Sequence, residues 1–364
     1  MTKLVASGPC KTILLEGNPR EQGIEHGRQA RKEILANVEV IRRGMVGLAA
    51  KGRSYDYDHV LSLNEAFVER EAPEVLEEIH GIAEGAGASY HDLLLLNIPL
   101  YFMGRMLPLE CSAVIVTPPA TADGCTYLAK NRDSHGCLDQ VVLHRKFNGG
   151  RELIEATHAG IVTWPGSGIN SDGLAIASTG AWSKRMVIDL ERASCGWLFA
   201  NTHLLLRDSR SVDDVAERVS SQPMVTGVNL VATDHKKARA FEVTTDRVYC
   251  HDAQDGILVC TNHYLSPEIR HLAATQEEYP STYHRYQVAT ARLWARHGSW
   301  DHRGILDLMS DHDGYPQESL CRHAQGGNGV NTLYTSIARL PEGVFWTVQG
   351  NPCENVTSAA HLSE

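Results

Sequence analysis

The sequence predicts an α+β fold in which helices dominate the first 110 residues and strands dominate the rest. Helix caps followed by apolar stripes recur before residue 110, whereas short β-branched runs bounded by turn residues follow residue 111. Further helices lie between and after these runs, which is typical of stacked sheets covered by helices. We therefore expect a helical N-terminal segment (1–110) and a strand-rich part (111–364) within one domain.

Composition and charge exclude several functional classes. The 364 residues carry a formal net charge of −10, which argues against a nucleic-acid-binding protein because phosphate contacts need clustered Lys and Arg. No run of 18 apolar residues predicts a membrane span, and the N-terminus lacks the apolar core of a signal peptide. Nine cysteines without a Cys-x-x-Cys pair fit reduced thiols and a cytoplasmic protein.

The first elements are predicted from their caps. A strand at 12–15 precedes a helix that Asn18 caps, with Pro19 and Glu21 in its first turn. His26 lies on this charged helix and is interpreted as a surface or structural residue. The apolar stripe of this helix consists of Ile24, Ile34, Leu35, Val38 and Ile41.

A second helical region follows from residue 73. Pro73 begins a helix that Gly85 and Gly87 end, and Ser89 with Asp92 begins another. After residue 111, strands are predicted at 112–117, 126–131, 152–158, 173–179, 228–233, 239–244, 256–260, 332–338 and 344–349. Helices are predicted at 211–220, 283–297 and 302–310.

Cys111 stands at the start of a predicted β-hairpin. Its two strands are separated by a turn that ends in Asp-Gly at 123–124. Folding the hairpin at this turn brings the sequence Lys-Asn-Arg-Asp at 130–133 beside Cys111. At about 3.3 Å per residue, Cys125 would lie roughly 30 Å away at the turn. Cys111 is therefore the cysteine with polar neighbours.

These neighbours allow nucleophilic chemistry at Cys111. A cysteine nucleophile needs a proton acceptor and donors for an oxyanion, but the hairpin contains no histidine. If the chain were cut before Cys111, its own α-amine, with a pKa of about 7.7–8.0, could act as the base. The alternative is that Cys111 is a buried structural cysteine.

Two other segments present polar groups. A strand ends in the sequence Thr-Asn-His, where Asn262 could offer its amide N–H to a bound carbonyl and His263 could act as a base or as a structural group. Downstream, His312, Cys321 and His323 could form a zinc cluster. Their spacing matches no common zinc pattern and no second cysteine is expected nearby, so we expect no metal.

Together these motifs resemble the N-terminal-nucleophile hydrolases of the choloylglycine hydrolase and isopenicillin N acyltransferase type, and the acyltransferase branch is the closer match. The resemblance rests on Cys111 with 130–133, on segments 81–87 and 168–174, on Thr-Asn-His at 261–263, and on Asp-His at 311–312 with Ser-Leu-Cys-Arg-His at 319–323. It implies a four-layer αββα sandwich and a chain that cuts itself before Cys111.

The resemblance also implies roles for individual residues. Cys111 would be the nucleophile, and Asn262 would stabilise the oxyanion. Asn170 would either do the same or form a local Asx-turn. Asp133 would orient the α-amine, with support from Lys130 and Asn131. A catalytic arginine of the family has no unambiguous counterpart, and Arg322 is the nearest match.

The expected function is hydrolysis of a small N-acyl amide through an acyl-thioester at Cys111, without a cofactor. Acyl transfer from an amide or thioester to an amine is the alternative, and the sequence does not separate the two. A non-catalytic, unprocessed ligand-binding protein is a second alternative, and a redox-thiol protein a third. The partner would be a small N-acyl amide or acyl thioester, and a homo-oligomer is left open.

Overall fold

The computed structural model describes residues 9–50, 56–98, 110–135, 138–163, 166–181, 185, 201–221, 227–325 and 329–363. The N-terminal residues 1–8, the two residues at 108–109 before Glu110, and Trp-Pro at 164–165 lie outside the described residues. None of the helices in the described ranges combines the length and the apolarity that crossing a bilayer requires.

The helices in the described ranges lie mainly before Cys111, as expected. They are α1 (Pro19–Gln29), α2 (Arg31–Ala50), α3 (Tyr57–Glu71), α4 (Pro73–Ala86), α5 (Tyr90–Asn97), α6 (Thr202–Asp208), α7 (Val212–Ser220), α8 (Pro280–Ala295) and α9 (His302–Met309). The strands are β1 (Thr12–Glu16), β2 (Glu110–Val116), β3 (Thr126–Ser134), β4 (Gln140–Lys146), β5 (Glu152–His158), β6 (Ser167–Asn170), β7 (Ala175–Gly180), β8 (Val228–Thr233), β9 (Ala238–Val243), β10 (Val248–Asp252), β11 (Ile257–Cys260), β12 (Asn331–Leu340), β13 (Val344–Gln349) and β14 (Thr357–His361).

The strands form two sheets. One has eight strands in the order β1-β4-β5-β6-β7-β8-β9-β10, and the other has six in the order β11-β2-β3-β12-β13-β14. β1 pairs in parallel with β4, whereas the other pairs are antiparallel. The helical N-terminal segment therefore contributes one strand to the larger sheet. The division of the chain at residues 110 and 111 stays a prediction.

Alternating side chains on the strands assign the layers. In β2, Ala113 and Ile115 pack with residues of the other sheet, such as Ile154, and form the core between the sheets. The residues that alternate with them, Val114 and Val116, face α8 and α9. On the larger sheet, the outer face packs against α1 to α7. The order of layers is helix, sheet, sheet, helix, so the predicted αββα sandwich is confirmed.

Several predicted helix ends are confirmed by their caps. Asn18 and Glu21 form a reciprocal capping box at α1, and Ser89 accepts a bond from the Asp92 amide at α5. The apolar stripe from Ile24 to Ile41 does not belong to one helix, because α1 ends at Gln29 and α2 begins at Arg31. The sequence argument also missed elements with short or weak apolar patterns, namely α3, α6, β4, β6, β10 and β14.

Four glycines allow α1 and α4 to pack with their backbones in contact. A Cβ on Gly23 or Gly81 would lie less than 3.0 Å from a backbone carbonyl of the other helix. Gly27 and Gly85 meet the facing backbone in the same way one turn further along. Because real Cβ atoms do not approach this closely, any side chain at these positions must push the helices apart.

We expect Gly81→Ala to destabilise the protein by about 1–3 kcal/mol, because the added methyl group meets backbone that cannot move away as a side chain would. The matched control is Gly47→Ala, also in a helix, where a Cβ meets no atom within 4 Å. That change should be neutral or stabilise by up to about 1 kcal/mol. Denaturant unfolding measures both, and equal stability of the two variants would contradict the packing argument.

Candidate active site around Cys111

The β2–β3 hairpin places the sequence at 130–133 opposite Cys111. In the antiparallel register, Cys111 faces Arg132, Glu110 faces Asp133 and Ala113 faces Lys130. Cys125 lies just before β3, at the turn end of the hairpin. The predicted geometry of the hairpin is therefore confirmed.

Cys111 shares its face of the sheet with two cations. Side chains of directly paired residues point to the same face, and Ala113 on this face packs into the core between the sheets. The Arg132 Nη1 lies 3.6 Å from the Cys111 Sγ. The Lys130 Nζ donates to the Gly166 carbonyl at 3.0 Å, across the gap between the sheets. Positive charge beside a sulfur is the environment that stabilises a thiolate nucleophile.

Lys130 is completely buried, and burial lowers its pKa to about 8. The neighbouring Arg132 also lowers this pKa, whereas Cys111 and Asp133 raise it. Desolvation is the largest of these effects because the ammonium loses its hydration shell and gains one carbonyl partner. Lys130 therefore changes its charge much nearer to neutral pH than an exposed lysine.

Asp133 and Asn131 alternate with these residues and lie on the opposite face of β3. The Asp133 Oδ1 accepts a bond from the Thr332 Oγ1 at 2.8 Å, whereas its buried Oδ2 has no hydrogen-bond partner among the described residues. Burial raises the pKa of Asp133 to about 7, against the opposing effects of Arg285, Thr332, Arg132 and Lys130. Asp133 is thus a carboxyl group that titrates near neutral pH, one residue pair away from Cys111.

Asn131 connects β3 to the segment around α9. Its Nδ2 donates to the carbonyls of Met309 and Leu320, each at 2.8 Å, and its Oδ1 accepts from the Thr335 Oγ1 at 2.6 Å. Through these contacts Asn131 holds β3 to β12 and to the segment that follows α9. Its predicted supporting role stays a prediction.

Arg285 on α8 is the centre of the hydrogen bonds around the Cys111 backbone. Its side chain is completely buried. The Nη1 donates to the Cys111 carbonyl and to the Ser112 Oγ, both at 2.7 Å, and the Nη2 donates to the Asn262 Oδ1 at 2.9 Å. The guanidinium thereby joins α8, β2 and the loop that follows β11.

Asn262 lies next to Cys111, as the sequence predicts. Its Oδ1 accepts from the Cys111 backbone amide at 3.1 Å as well as from Arg285. Its Nδ2 donates to the Gly180 carbonyl at 2.6 Å. The side chain therefore contacts the nitrogen that would become the α-amine if the chain were cut before Cys111. Its role as an oxyanion donor stays a prediction.

Arg322 contacts Glu110, the residue before Cys111. It forms an ion pair with Glu110, and both side chains are buried. Thr332 connects this pair to Asp133, because its Oγ1 accepts from the Arg322 amide at 2.9 Å and donates to the Asp133 carboxyl. Arg322 therefore reaches the site through Glu110 on one side and Thr332 on the other.

Asn170 makes its contacts away from Cys111. Its Nδ2 donates to the carbonyls of Leu206 and Ser209, at 2.7 and 2.9 Å, and its Oδ1 accepts from the amides of Asp172 and Leu174. These bonds favour the local Asx-turn over the oxyanion role, which stays a prediction.

The two histidines considered in the sequence have structural surroundings. His26 is buried rather than exposed, its Nε2 accepts from the Gly160 amide, and burial lowers its pKa to about 3. The His263 Nδ1 lies 3.0 Å from the Thr282 Oγ1, its ring stacks on Tyr283, and burial lowers its pKa to about 4. Both imidazoles are therefore neutral at pH 7.

Two arginines at the site, Arg132 and Arg285, had no role predicted from the sequence. Arg132 follows from the hairpin register, since it lies directly opposite Cys111. Arg285 belongs to no motif, but it occupies the buried face of α8 that Ser281, Val288 and Ala289 share. A charged residue within such a stripe is a signal of a buried polar contact.

The expectation that no second cysteine lies near Cys321 is wrong. The Sγ of a second cysteine, Cys353, lies 3.5 Å from the Cys321 Sγ, although 32 residues separate the two in sequence. His312, Cys321, His323 and Cys353 could together hold a metal ion. This cluster lies outside the contacts of Cys111 described above.

Comparisons with known proteins converge on one family. The family described as acyl-coenzyme A:6-aminopenicillanic acid acyltransferase matches residues 120–354, more than half of the chain. This range contains Asp133 and Asn262 and begins nine residues after Cys111. The 40 kDa form of acyl-coenzyme A:6-aminopenicillanic-acid acyltransferase from Emericella nidulans is 23% identical over 344 residues, which cover 89% of this chain and 88% of that protein.

Solved structures give more distant similarities. A variant of the conjugated bile acid hydrolase from Clostridium perfringens has a TM-score of 0.45 at 13% identity, covering 70% of this chain and 97% of that one. Penicillin V acylase from Agrobacterium tumefaciens has a TM-score of 0.45 at 12% identity, covering 69% and 86%. With TM-scores below 0.5, neither structure carries an argument about the chemistry at Cys111.

We expect Asp133→Asn to change how stability depends on pH. The folded pKa of about 7 lies above the ordinary value of 3.8, so the folded state keeps a proton that the unfolded chain releases. The stability that this group contributes is full below about pH 4 and is lost as the pH rises through 7, at about 1.4 kcal/mol per pKa unit. Asparagine cannot titrate, so the wild-type protein should lose stability relative to the variant between pH 5 and 8.

Thermal midpoints at pH 5, 6, 7 and 8 measure this difference. Both proteins carry Cys111→Ala, so that no reaction of the Cys111 thiol can affect the comparison. The exposed residue Asp307 provides the control variant Asp307→Asn, which should follow the parent at every pH. A constant offset between the parent and its Asp133→Asn variant across this range would show that Asp133 carries no raised pKa.

Proposed function

Since this chain belongs to the acyl-coenzyme A:6-aminopenicillanic acid acyltransferase family, we propose that it is a self-processing cysteine amidohydrolase. Its substrate class would be small N-acyl amides, cleaved through an acyl-thioester at Cys111. The observation that carries the proposal is the buried polar network at Cys111, in which Asn262 binds the backbone nitrogen at 3.1 Å and Arg132 contacts the sulfur at 3.6 Å. A cysteine that only filled the core would not need charged partners, which are costly to bury.

The first reaction would cut the chain. The Cys111 Sγ attacks the Glu110 carbonyl carbon, and the tetrahedral intermediate collapses with loss of the Cys111 nitrogen, which takes up a proton. Water then hydrolyses the thioester, giving a Glu110 carboxylate and the free thiol. The bonds from Arg285 to the Cys111 carbonyl and from Asn262 to the Cys111 amide would hold this peptide in place for the attack.

The second reaction would use the new α-amine as the base. With a pKa of about 7.7–8.0, this amine can accept the thiol proton near neutral pH. The sulfur attacks the substrate acyl carbon, the amine returns the proton to the leaving group, and the acyl-thioester remains. Asp133 would orient the amine, Lys130 and Arg132 would favour the thiolate, and the Asn262 amide would meet the oxyanion.

Acyl transfer is the second candidate, and the family favours it. The family description and the relative from Emericella nidulans both name an acyltransferase. In transfer, an amine instead of water attacks the acyl-thioester, and the residues around Cys111 have the same roles. Supplying an acyl-coenzyme A donor with 6-aminopenicillanic acid distinguishes the two, since transfer forms a new amide and hydrolysis releases the free acid.

We expect the purified protein to give two bands of about 12 and 28 kDa on a denaturing gel, which divide its 40.1 kDa in proportion to length at Glu110-Cys111. Cys111→Ala removes the sulfur and should leave one full-length band. Cys125→Ala, which changes a cysteine at the other end of the hairpin, should be cut like the wild type. N-terminal sequencing of the larger fragment should begin at Cys111.

Cleavage that persists in Cys111→Ala would contradict self-processing by this thiol. A single band for the wild type, together with binding but no turnover of N-acyl amides, would favour the unprocessed ligand-binding alternative.

We expect Asn262→Ala to lower kcat by about 10²–10³-fold while changing KM less, because the oxyanion exists only in the transition state. Asn262→Asp separates two roles of the side chain, since it keeps an oxygen for Cys111 N and Arg285 but loses the amide donor. Both variants are compared at equal amounts of cut chain, measured on the gel.

The matched control is Asn64→Ala, which removes a buried asparagine that bonds to the Val60 carbonyl within α3. It should lower the melting temperature and leave kcat unchanged. If Asn262→Ala also melts earlier but turns over normally, Asn262 is not part of the oxyanion site.

A further inference from the structure

Four side chains of metal-ligating types lie close together on two loops, the connection between α9 and β12 and the one between β13 and β14. His312 follows α9, Cys321 and His323 lie in the segment before β12, and Cys353 follows β13. One ligand atom of each, a ring nitrogen of the histidines and the Sγ of the cysteines, lies within 4.8 Å of the other three. The convergence depends on folding, because Cys353 is 30 residues from His323 in sequence.

Four of the six separations between these atoms match the edges of a zinc coordination tetrahedron, and the two between His312 and the sulfurs are within 4.8 Å. With Zn–S near 2.3 Å and Zn–N near 2.05 Å, such a tetrahedron has edges of about 3.8 Å between sulfurs, 3.3 Å between nitrogens and 3.5 Å between sulfur and nitrogen. The Cys321–Cys353 sulfurs are 3.5 Å apart, the His312–His323 nitrogens are 3.1 Å apart, and the His323 nitrogen is 3.4 Å from each sulfur. Each value lies within about 0.3 Å of the corresponding edge.

We propose that His312, Cys321, His323 and Cys353 form a structural zinc site. Two thiolates and two imidazoles are a donor set that zinc prefers, and four protein ligands leave no open position for a substrate or for water. Binding of Zn²⁺ would release the protons of the two thiols. The site is therefore assigned to stabilisation of the fold and not to a reaction.

Neighbouring polar groups would orient the ligands. The Asn351 Nδ2 lies 3.5 Å from the Cys321 Sγ, and a carboxylate oxygen of Glu354 lies 3.8 Å from the His323 Nδ1. Such contacts to the coordinating sulfur and to the second imidazole nitrogen are typical around bound zinc, because they fix the direction of each ligand. The backbone is held as well, since the Cys321 amide donates to the Asp311 carbonyl at 3.0 Å.

The zinc would fix the segment that carries Arg322. This residue lies between two of the ligands, Cys321 and His323, and the Asn351 Nδ2 also donates to its carbonyl at 2.6 Å. The Arg322 guanidinium in turn forms the ion pair with Glu110. The zinc site thus supports the smaller sheet at the point where the chain enters β2, whatever reaction Cys111 carries out.

A disulfide between Cys321 and Cys353 is the competing interpretation of the two thiols. Their sulfurs are 3.5 Å apart and both cysteines are free. Closing the bond would remove two protons and two electrons and would need an external oxidant. A disulfide also leaves the imidazoles without a common partner, whereas zinc accounts for all four side chains.

Metal analysis of the intact protein tests the proposal. The protein is purified without chelators and without added metal, and its content is measured by inductively coupled plasma mass spectrometry. We expect about one zinc per chain. Cys353→Ser should lower this content at least several-fold, and because Cys353 is exposed the variant should still fold. The control is Cys250→Ser, which removes an exposed cysteine on β10 and should keep the zinc.

A second measurement does not depend on a variant. Cobalt(II) added to reduced, metal-free wild type should give the absorption of a tetrahedral thiolate complex, and zinc should displace it. Zinc removal should lower the melting temperature, and readdition should restore it. The proposal is wrong if the purified wild type contains no zinc and, after reduction, binds neither zinc nor cobalt. A Cys321–Cys353 disulfide in protein purified under reducing conditions would also overturn it.

Discussion

The arrangement around Cys111 depends on one buried guanidinium. Arg285 binds the Cys111 carbonyl, the Ser112 hydroxyl and the Asn262 side chain, and thereby joins a helix, a strand and a loop from three parts of the chain. A buried charge is costly unless it is fully hydrogen-bonded, so the position of each partner is tightly constrained. Cys111 is held through its backbone by this network, while its sulfur points to the other face of the sheet.

Positive charge exceeds negative charge among the described residues of the site. Lys130, Arg132, Arg285 and Arg322 lie in or beside it, against the carboxyl groups of Glu110 and Asp133. Asp133 has a pKa raised to about 7, which reduces the negative charge further at neutral pH. Such a field is costly in the folded protein, and it would favour the thiolate and the oxyanion of the proposed acyl chemistry. The site accepts a cost in stability that a purely structural core would avoid.

Local patterns in the sequence were enough for the hairpin and the helix caps, whereas the layer order came from the resemblance to a known family. Cys111 meets residues 130–133 because two strands adjacent in sequence pair as an antiparallel hairpin, and this can be predicted without the rest of the fold. Arg285 and Cys353 could not be found in this way. Arg285 meets Cys111 across 174 residues, and Cys353 meets Cys321 across 32. Contacts of this kind depend on how the sheets and helices stack, which local periodicity does not encode.

β1 gives the proposed cut a consequence for how the protein is assembled. This strand comes from the segment before Cys111, yet it forms the edge of the larger sheet by pairing with β4, and its Ile13 and Leu15 are buried under α1 to α5. A protein cut at residue 110 would consist of two chains that share the larger sheet. Under native conditions its size would be unchanged. Once unfolded, however, the pieces would have lost the covalent link that keeps them at high effective concentration. Refolding would then require the two fragments to meet in solution. The lifetime of the folded, cut protein would therefore depend on slow unfolding and not on efficient refolding.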